Sequence, residues 1–123
     1  MNAKQTLMAG TITMFLAVAI GAFGAHGLNL NEHQHQIFET GVRYQFYHAL
    51  GLLLSGVLME IKPGIIHRFV PILFVGGILF FSGSFYLLIL SEKKWFGAIT
   101  PLGGVMFLVA WCLFTLHIAK NKF

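Results

Sequence analysis

The chain has 123 residues, of which 57% are hydrophobic and only 10% are charged, with a formal net charge of +4. This length suits one domain, and a soluble protein so small would need more polar residues to cover its surface. The composition therefore favours a membrane protein. Its basic residues lie at the ends of apolar segments and form no single patch of the kind that binds nucleic acid.

Four uncharged segments follow one another along the chain and predict four transmembrane helices. They cover residues 6–25, 44–59, 69–91 and 95–119. A bilayer core of about 30 Å needs roughly 20 helical residues, so the second segment spans only if Arg43 and Glu60 reach outward to the headgroups. Continuous apolar runs without alternation favour helices over a barrel. We therefore expect an all-α, polytopic membrane protein with a four-transmembrane-helix bundle.

The predicted single transmembrane domain covers residues 1–123. Its helices are expected at about 5–27, 42–61, 69–91 and 96–119. The polar link at 31–41 has apolar residues at partly helical spacing, which predicts a short interfacial helix. The first segment also resembles a cleavable signal peptide, since small residues precede His26, but its length favours a retained helix.

The basic residues are distributed unequally over the two predicted sides of the membrane. Four spans place both termini and the second link on one side, which then carries five basic residues: Lys4, Lys62, Arg68, Lys120 and Lys122. The other side carries three: Arg43, Lys93 and Lys94. The excess predicts that both termini lie in the cytoplasm.

Small residues occur on every predicted helix. Helices in lipid associate where small side chains let their backbones approach, so these positions predict helix-packing contacts. The packing candidates are Ala17, Gly21, Ala25, Gly51, Ser55, Gly76, Gly83 and Gly103. We interpret Ser82 and Ser84 as packing hydroxyls bonded to the carbonyl four residues earlier in their own helix.

Four sequence motifs occur together in this chain. They are GAFGAHGL from Gly21, YQFYHALGLL from Tyr44, LFFSGSFYLL from Leu79 and ITPLGG from Ile99. The set resembles the domain-of-unknown-function 423 family, also called uncharacterised protein family 0382. Its members are small multi-pass membrane proteins, with animal relatives similar to transmembrane protein 256. The resemblance implies an integral protein of the cytoplasmic membrane with four spans, and it implies no activity.

Two histidines mark the candidate site. His26 ends the first predicted helix and His48 lies about one turn inside the second, so both are expected at similar depth on the non-cytoplasmic side. Ionisable groups in a membrane usually face the bundle interior and have partners. We therefore predict one polar cluster of His26 and His48 with Tyr44 or Arg43. The tentative ligand-binding residues are His26, His48, Arg43, Tyr44, Gln45 and Thr100.

Four interpretations of this cluster remain open from the sequence. It is a structural hydrogen-bonded clamp, a pocket for a small ligand or lipid headgroup, a bis-histidine metal or haem site, or a proton-transfer site. We expect no catalytic residue, no metal site and no cofactor. Expected partners are membrane lipids and a second copy or another membrane protein, and nucleic acid is not expected.

The favoured function is a structural or interaction protein in envelope homeostasis, without enzymatic activity. One alternative is a small transporter or a ligand- or lipid-binding module that uses the His26/His48 pocket. Another is a haem- or quinone-linked redox subunit.

Overall fold

The computed structural model describes residues 1–122, apart from the side chain of Ala25. All regular structure in this range is helical, as predicted. The helices are α1 (Ala3–Gly27), α2 (Glu32–Ile61), α3 (Phe69–Phe80), α4 (Ser82–Ser91) and α5 (Thr100–Lys120), with a 3₁₀ helix at Lys94–Ala98.

The second helix is longer than predicted. Asn31 caps it by accepting the Gln34 backbone N–H, and the Gln34 side chain accepts the Asn31 N–H in return. This capping box begins the helix at Glu32, and no proline interrupts the backbone between there and Ile61. The expected interfacial helix at 31–41 is therefore the first part of α2.

The expected helix at 69–91 is interrupted at Phe81, so it forms α3 and α4. At this point Gly103 of α5 comes so close that a Cβ on it would lie 2.8 Å from the Phe80 carbonyl carbon. The Phe81 carbonyl beside the break accepts both the Ser84 hydroxyl at 2.7 Å and the Phe85 backbone N–H at 3.3 Å. A close helix crossing accompanies the interruption.

Three stretches of the described chain are long and apolar enough to cross a membrane. They are Ala3–Gly24, Phe69–Ser91, which contains both α3 and α4, and Lys94–Lys120. The helix α2 is not among them; its most apolar part lies between the charged residues Arg43 and Glu60.

The helices do not form a closed four-helix bundle. A buried core that includes Leu52, Phe74, Phe107 and Phe114 joins α2, α3 and α5. In contrast, α1 packs almost solely on α2. The fold is a three-helix core with α1 attached to one face of α2, which leaves a groove between α1 and α4.

Candidate functional site

His48 lies inside the three-helix core. Its Nδ1 donates to the Tyr44 carbonyl at 2.7 Å, and its ring is parallel to that of Phe107 with centroids 3.4 Å apart. Phe74 and Trp111 lie at 5.9 Å from the same ring. His48 is therefore held by one backbone bond of its own helix and by aromatic packing.

His26 lies elsewhere. The register of α1 and α2 is antiparallel, as shown by the close approaches of Gly10 to Leu53 and of Gly21 to Val42. This register puts His26 level with residue 37 and His48 level with residue 15, so about 16 Å of helix separates the two histidines. His26 is exposed. The expected His26–His48 cluster is wrong, because α2 begins ten residues earlier than predicted and His48 lies in its middle.

Arg43 is exposed and lines a small cavity between α1 and α2 with Gly21. His35 and Glu39 line the same cavity, and the His35 Nε2 atom lies 3.2 Å from a Glu39 carboxylate oxygen. The cavity has a volume of about 330 Å³. Arg43 therefore groups with charged residues of the polar first part of α2, and neither predicted histidine lines this cavity.

Gln45 connects three helices. Its Nε2 atom donates to the Thr13 carbonyl of α1 at 2.9 Å, and its Oε1 atom accepts the Tyr86 hydroxyl of α4 at 2.7 Å. The carbonyl of Thr13 can only accept, which assigns the two ends of the amide. Only 3% of the Gln45 surface is exposed. The predicted site residue Gln45 thus links α1, α2 and α4.

Two further hydroxyl contacts tie α4 to its neighbours. Thr100 and Ser84 form a buried hydroxyl–hydroxyl bond of 2.5 Å, and Ser82 donates to the Gly41 carbonyl of α2 at 2.6 Å. Ser82 does not bond within its own helix and Ser84 uses the carbonyl three residues earlier, so the expected four-residue bonding is wrong for both. Thr100 therefore joins the start of α5 to α4.

The predicted packing positions mostly lie at helix contacts. Ala17 and Ser55 are fully buried. A Cβ on Gly51 would lie 3.2 Å from Phe74, and one on Gly76 or Gly103 would collide with the opposite helix. Gly83 differs, because the nearest atom to its added Cβ is the Ile78 carbonyl oxygen of its own chain segment at 3.9 Å. The Ala25 side chain lies outside the described part of the chain.

The groove between α1 and α4 contains a cavity of about 670 Å³. A second cavity of about 210 Å³ shares Ile20 and Tyr86 with it and extends to Gln45 and Thr13. We call the two together the α1–α4 groove. Its walls include Ala19, Ile20, Phe23, Phe38, Tyr86 and Leu90.

The described side chains form no group of three His, Cys, Asp or Glu residues that could hold a metal ion. At the smaller cavity of the groove, the structure brings together polar atoms of Gln45, Tyr86 and Thr13. They can bind a ligand only through hydrogen bonds.

The family described as a protein of unknown function, DUF423, matches residues 20–104 of this chain. A UPF0382 membrane protein of Staphylococcus aureus (strain bovine RF122 / ET3-1) is 41% identical over 122 residues, which cover 98% of both chains. The UPF0382 membrane protein YwdK of Bacillus subtilis (strain 168) is 41% identical over 120 residues, covering 95% of this chain and 98% of YwdK. No solved structure matches the chain.

The chain belongs to the DUF423 family. This confirms the resemblance seen in the four motifs, and the names of its relatives agree with the three apolar helices in identifying a membrane protein. The names of these DUF423 relatives state no activity. The matched region contains Gln45, His48 and Tyr86, whereas Thr13 lies before it.

Tyr86 and Phe38 of this DUF423 chain were not among the site residues predicted from the sequence. Phe38 belongs to the link expected to be interfacial, yet it is buried against Gly24 of α1. Tyr86 is a polar residue inside an apolar run, which is a signal of interhelical bonding. Its partner was not evident from sequence, because Gln45 is 41 residues away.

Proposed function

We propose that this protein is a four-span membrane protein that holds the apolar chain of a membrane amphiphile in the α1–α4 groove. Through this contact it acts as a structural or interaction protein in homeostasis of the bacterial envelope. The observation that carries the proposal is the groove itself, an apolar cavity of about 670 Å³ between two membrane-spanning segments.

The fourth span is α2. It packs antiparallel along α1 from Phe38, which contacts Gly24, to Gly56, which contacts Leu7. These contacts extend over about 27 Å of α2, close to the thickness of a bilayer core. A helix that accompanies α1 over this length crosses the membrane with it. Arg43 and Glu60 are exposed and free to extend toward the headgroups.

The lining of the groove suits a hydrocarbon chain. The larger cavity is walled by aliphatic and aromatic side chains, including those of Ile20, Phe23 and Leu90. Because no water fills a cavity that faces the hydrocarbon core, an apolar chain must occupy it or its walls lose their van der Waals partners. The lining residues come from three helices, with Ile20 from α1, Phe38 from α2 and Tyr86 from α4, so a chain in the groove contacts more than one helix.

Photo-cross-linking tests the proposal. The purified protein is placed in nanodiscs of phosphatidylglycerol with a diazirine in one acyl chain, and labelled residues are mapped by mass spectrometry. We expect labelling at Ile20, Phe23 and Leu90 to exceed that at Leu108, whose side chain is 72% exposed on α5.

A matched pair of variants isolates the groove. Ala19→Trp adds bulk to the wall of the groove, whereas Val18→Trp adds it on a neighbouring exposed position that does not line it. We expect only Ala19→Trp to reduce labelling of Phe23 and Leu90. Equal labelling of Leu108 and the groove, or equal effects of the two variants, contradicts the proposal.

A further inference from the structure

The side-chain amide of Gln45 has one N–H group that donates no hydrogen bond to the described chain. Its Nε2 atom carries two hydrogens, of which one is donated to the Thr13 carbonyl, while Oε1 accepts from Tyr86. Among residues 1–122 the second N–H has no acceptor, and Gln45 lines the smaller cavity of the groove. The groove is therefore lined by a residue that carries an unused hydrogen-bond donor and is only 3% exposed.

This donor lies deep in the membrane. In the antiparallel register of α1 and α2, Gln45 is level with residue 18 of α1, about 9 Å inside Gly24, where the membrane-spanning stretch Ala3–Gly24 ends. The ester carbonyls of a phospholipid remain at the interface, so at this depth its acyl chains offer no acceptor. An unpaired polar group in hydrocarbon costs free energy. A ligand that brings an acceptor to this depth therefore binds with higher affinity than a lipid whose chains carry none.

The groove beside this donor has aromatic walls. Phe38 and Tyr86 lie with ring centroids 5.8 Å apart at an angle of 49°, and Phe23 lines the same cavity. Aromatic walls of this kind suit a flat, apolar ring. The aliphatic part of the groove, at Ile20 and Leu90, leaves room for a chain attached to that ring.

We propose that the α1–α4 groove binds a lipid-soluble quinone. One ring carbonyl accepts the free N–H of Gln45, the ring packs near Phe38 and Tyr86, and the prenyl chain follows the aliphatic wall. A quinone combines carbonyl acceptors with low polarity, so it can place an acceptor in the hydrocarbon region at the depth of Gln45. This inference rests on the proposed function and names its ligand class.

Competition measured by native mass spectrometry tests the inference. The full-length protein in detergent is mixed with equal amounts of a prenylated naphthoquinone and a prenyl hydrocarbon of the same chain length. We expect the quinone to be preferred by about tenfold, the effect of one well-made hydrogen bond. Equal binding of the two probes overturns the inference and leaves the groove as a site for apolar chains.

Two variants assign the preference to Gln45. Gln45→Leu removes the donor and is expected to abolish the preference for the quinone while the hydrocarbon still binds. Tyr86→Phe disturbs the same contact but leaves both N–H groups of Gln45, so the preference should persist. A preference that survives in Gln45→Leu overturns the inference. If neither probe binds the wild type and the diazirine lipid does not label the groove, the proposed function fails with it.

Discussion

At the scale of single residues, the polar side chains within the helices make two kinds of hydrogen bond. Ser55 and Thr115 donate to carbonyls four residues earlier in their own helices and connect nothing else. Gln45, Ser82 and Thr100 reach a different helix. In lipid, where hydrophobic burial contributes little to helix association, such crossing bonds and close backbone contacts hold the fold together.

The contact of Gly103 with the break at Phe81 can be tested with its neighbour as the control. A Cβ on Gly103 would lie 2.8 Å from the Phe80 carbonyl carbon, and backbone cannot move aside as a side chain can. We expect Gly103→Ala to destabilise the protein by about 1–3 kcal/mol, measured by thermal unfolding in detergent.

In Gly104→Ala the added Cβ would be 3.8 Å from the Phe81 ring, an ordinary contact. Because alanine favours helix over glycine, this variant should be neutral or more stable, by up to about 1 kcal/mol. The same loss of stability in both variants would show that the crossing at Gly103 is not specially close.

At the scale of helices, α1 depends on α2 for nearly all of its packing. Gly10 and Gly24 of α1 let side chains of α2 approach its backbone, and Gly56 of α2 does the same for Leu7. Small residues at this interface therefore come from both helices. The absence of a comparable contact between α1 and α4 is what keeps the groove open.

Gly24→Leu tests this interface at the ring of Phe38. An atom added at Gly24 would occupy the space of that buried ring, so the ring must leave its site between α1 and Tyr86. We expect a loss of about 1–3 kcal/mol in thermal unfolding. Ala22→Leu, an exposed position on the same helix, should change stability little. Equal stability of the two variants would contradict the importance of this contact.

At the scale of the whole molecule, the two ends differ in their numbers of basic and acidic residues. The end with the termini carries Glu60 as its one acidic side chain beside five basic residues, which are Lys4, Lys62, Arg68, Lys120 and Lys122. At the opposite end three basic residues face three acidic ones, which are Glu32, Glu39 and Glu92. Only lysine and arginine orient membrane proteins, so their five-to-three excess favours the terminal end on the cytoplasmic side.

Reporter fusions at both ends test orientation and span number together. Four spans place the N-terminus and the C-terminus on the same side, whereas three spans place them on opposite sides. We expect a fluorescent protein that folds only in the cytoplasm to be active at either end. Alkaline phosphatase, which needs export, should be inactive at both. Opposite results at the two ends would show that α2 does not cross.

The sequence by itself determined the membrane environment, the helical class and the family. Composition and the length of apolar runs are sufficient for the first two, because lipid leaves few backbone structures available. It also indicated close-packing positions such as Gly51, Gly76 and Gly103, since a residue without a bulky side chain has few other uses in a lipid-embedded helix.

Only the tertiary structure decided where the site lies. Predicted depth depended on where α2 begins, and a ten-residue difference moved His48 from the membrane surface into the core. The pairing of Gln45 with Tyr86 and Thr13 depends on contacts between residues 32 and 41 positions apart along the chain. The spacing of residues along a helix indicates which face carries small or polar side chains. Which neighbouring helix contacts that face depends on how all the helices pack together.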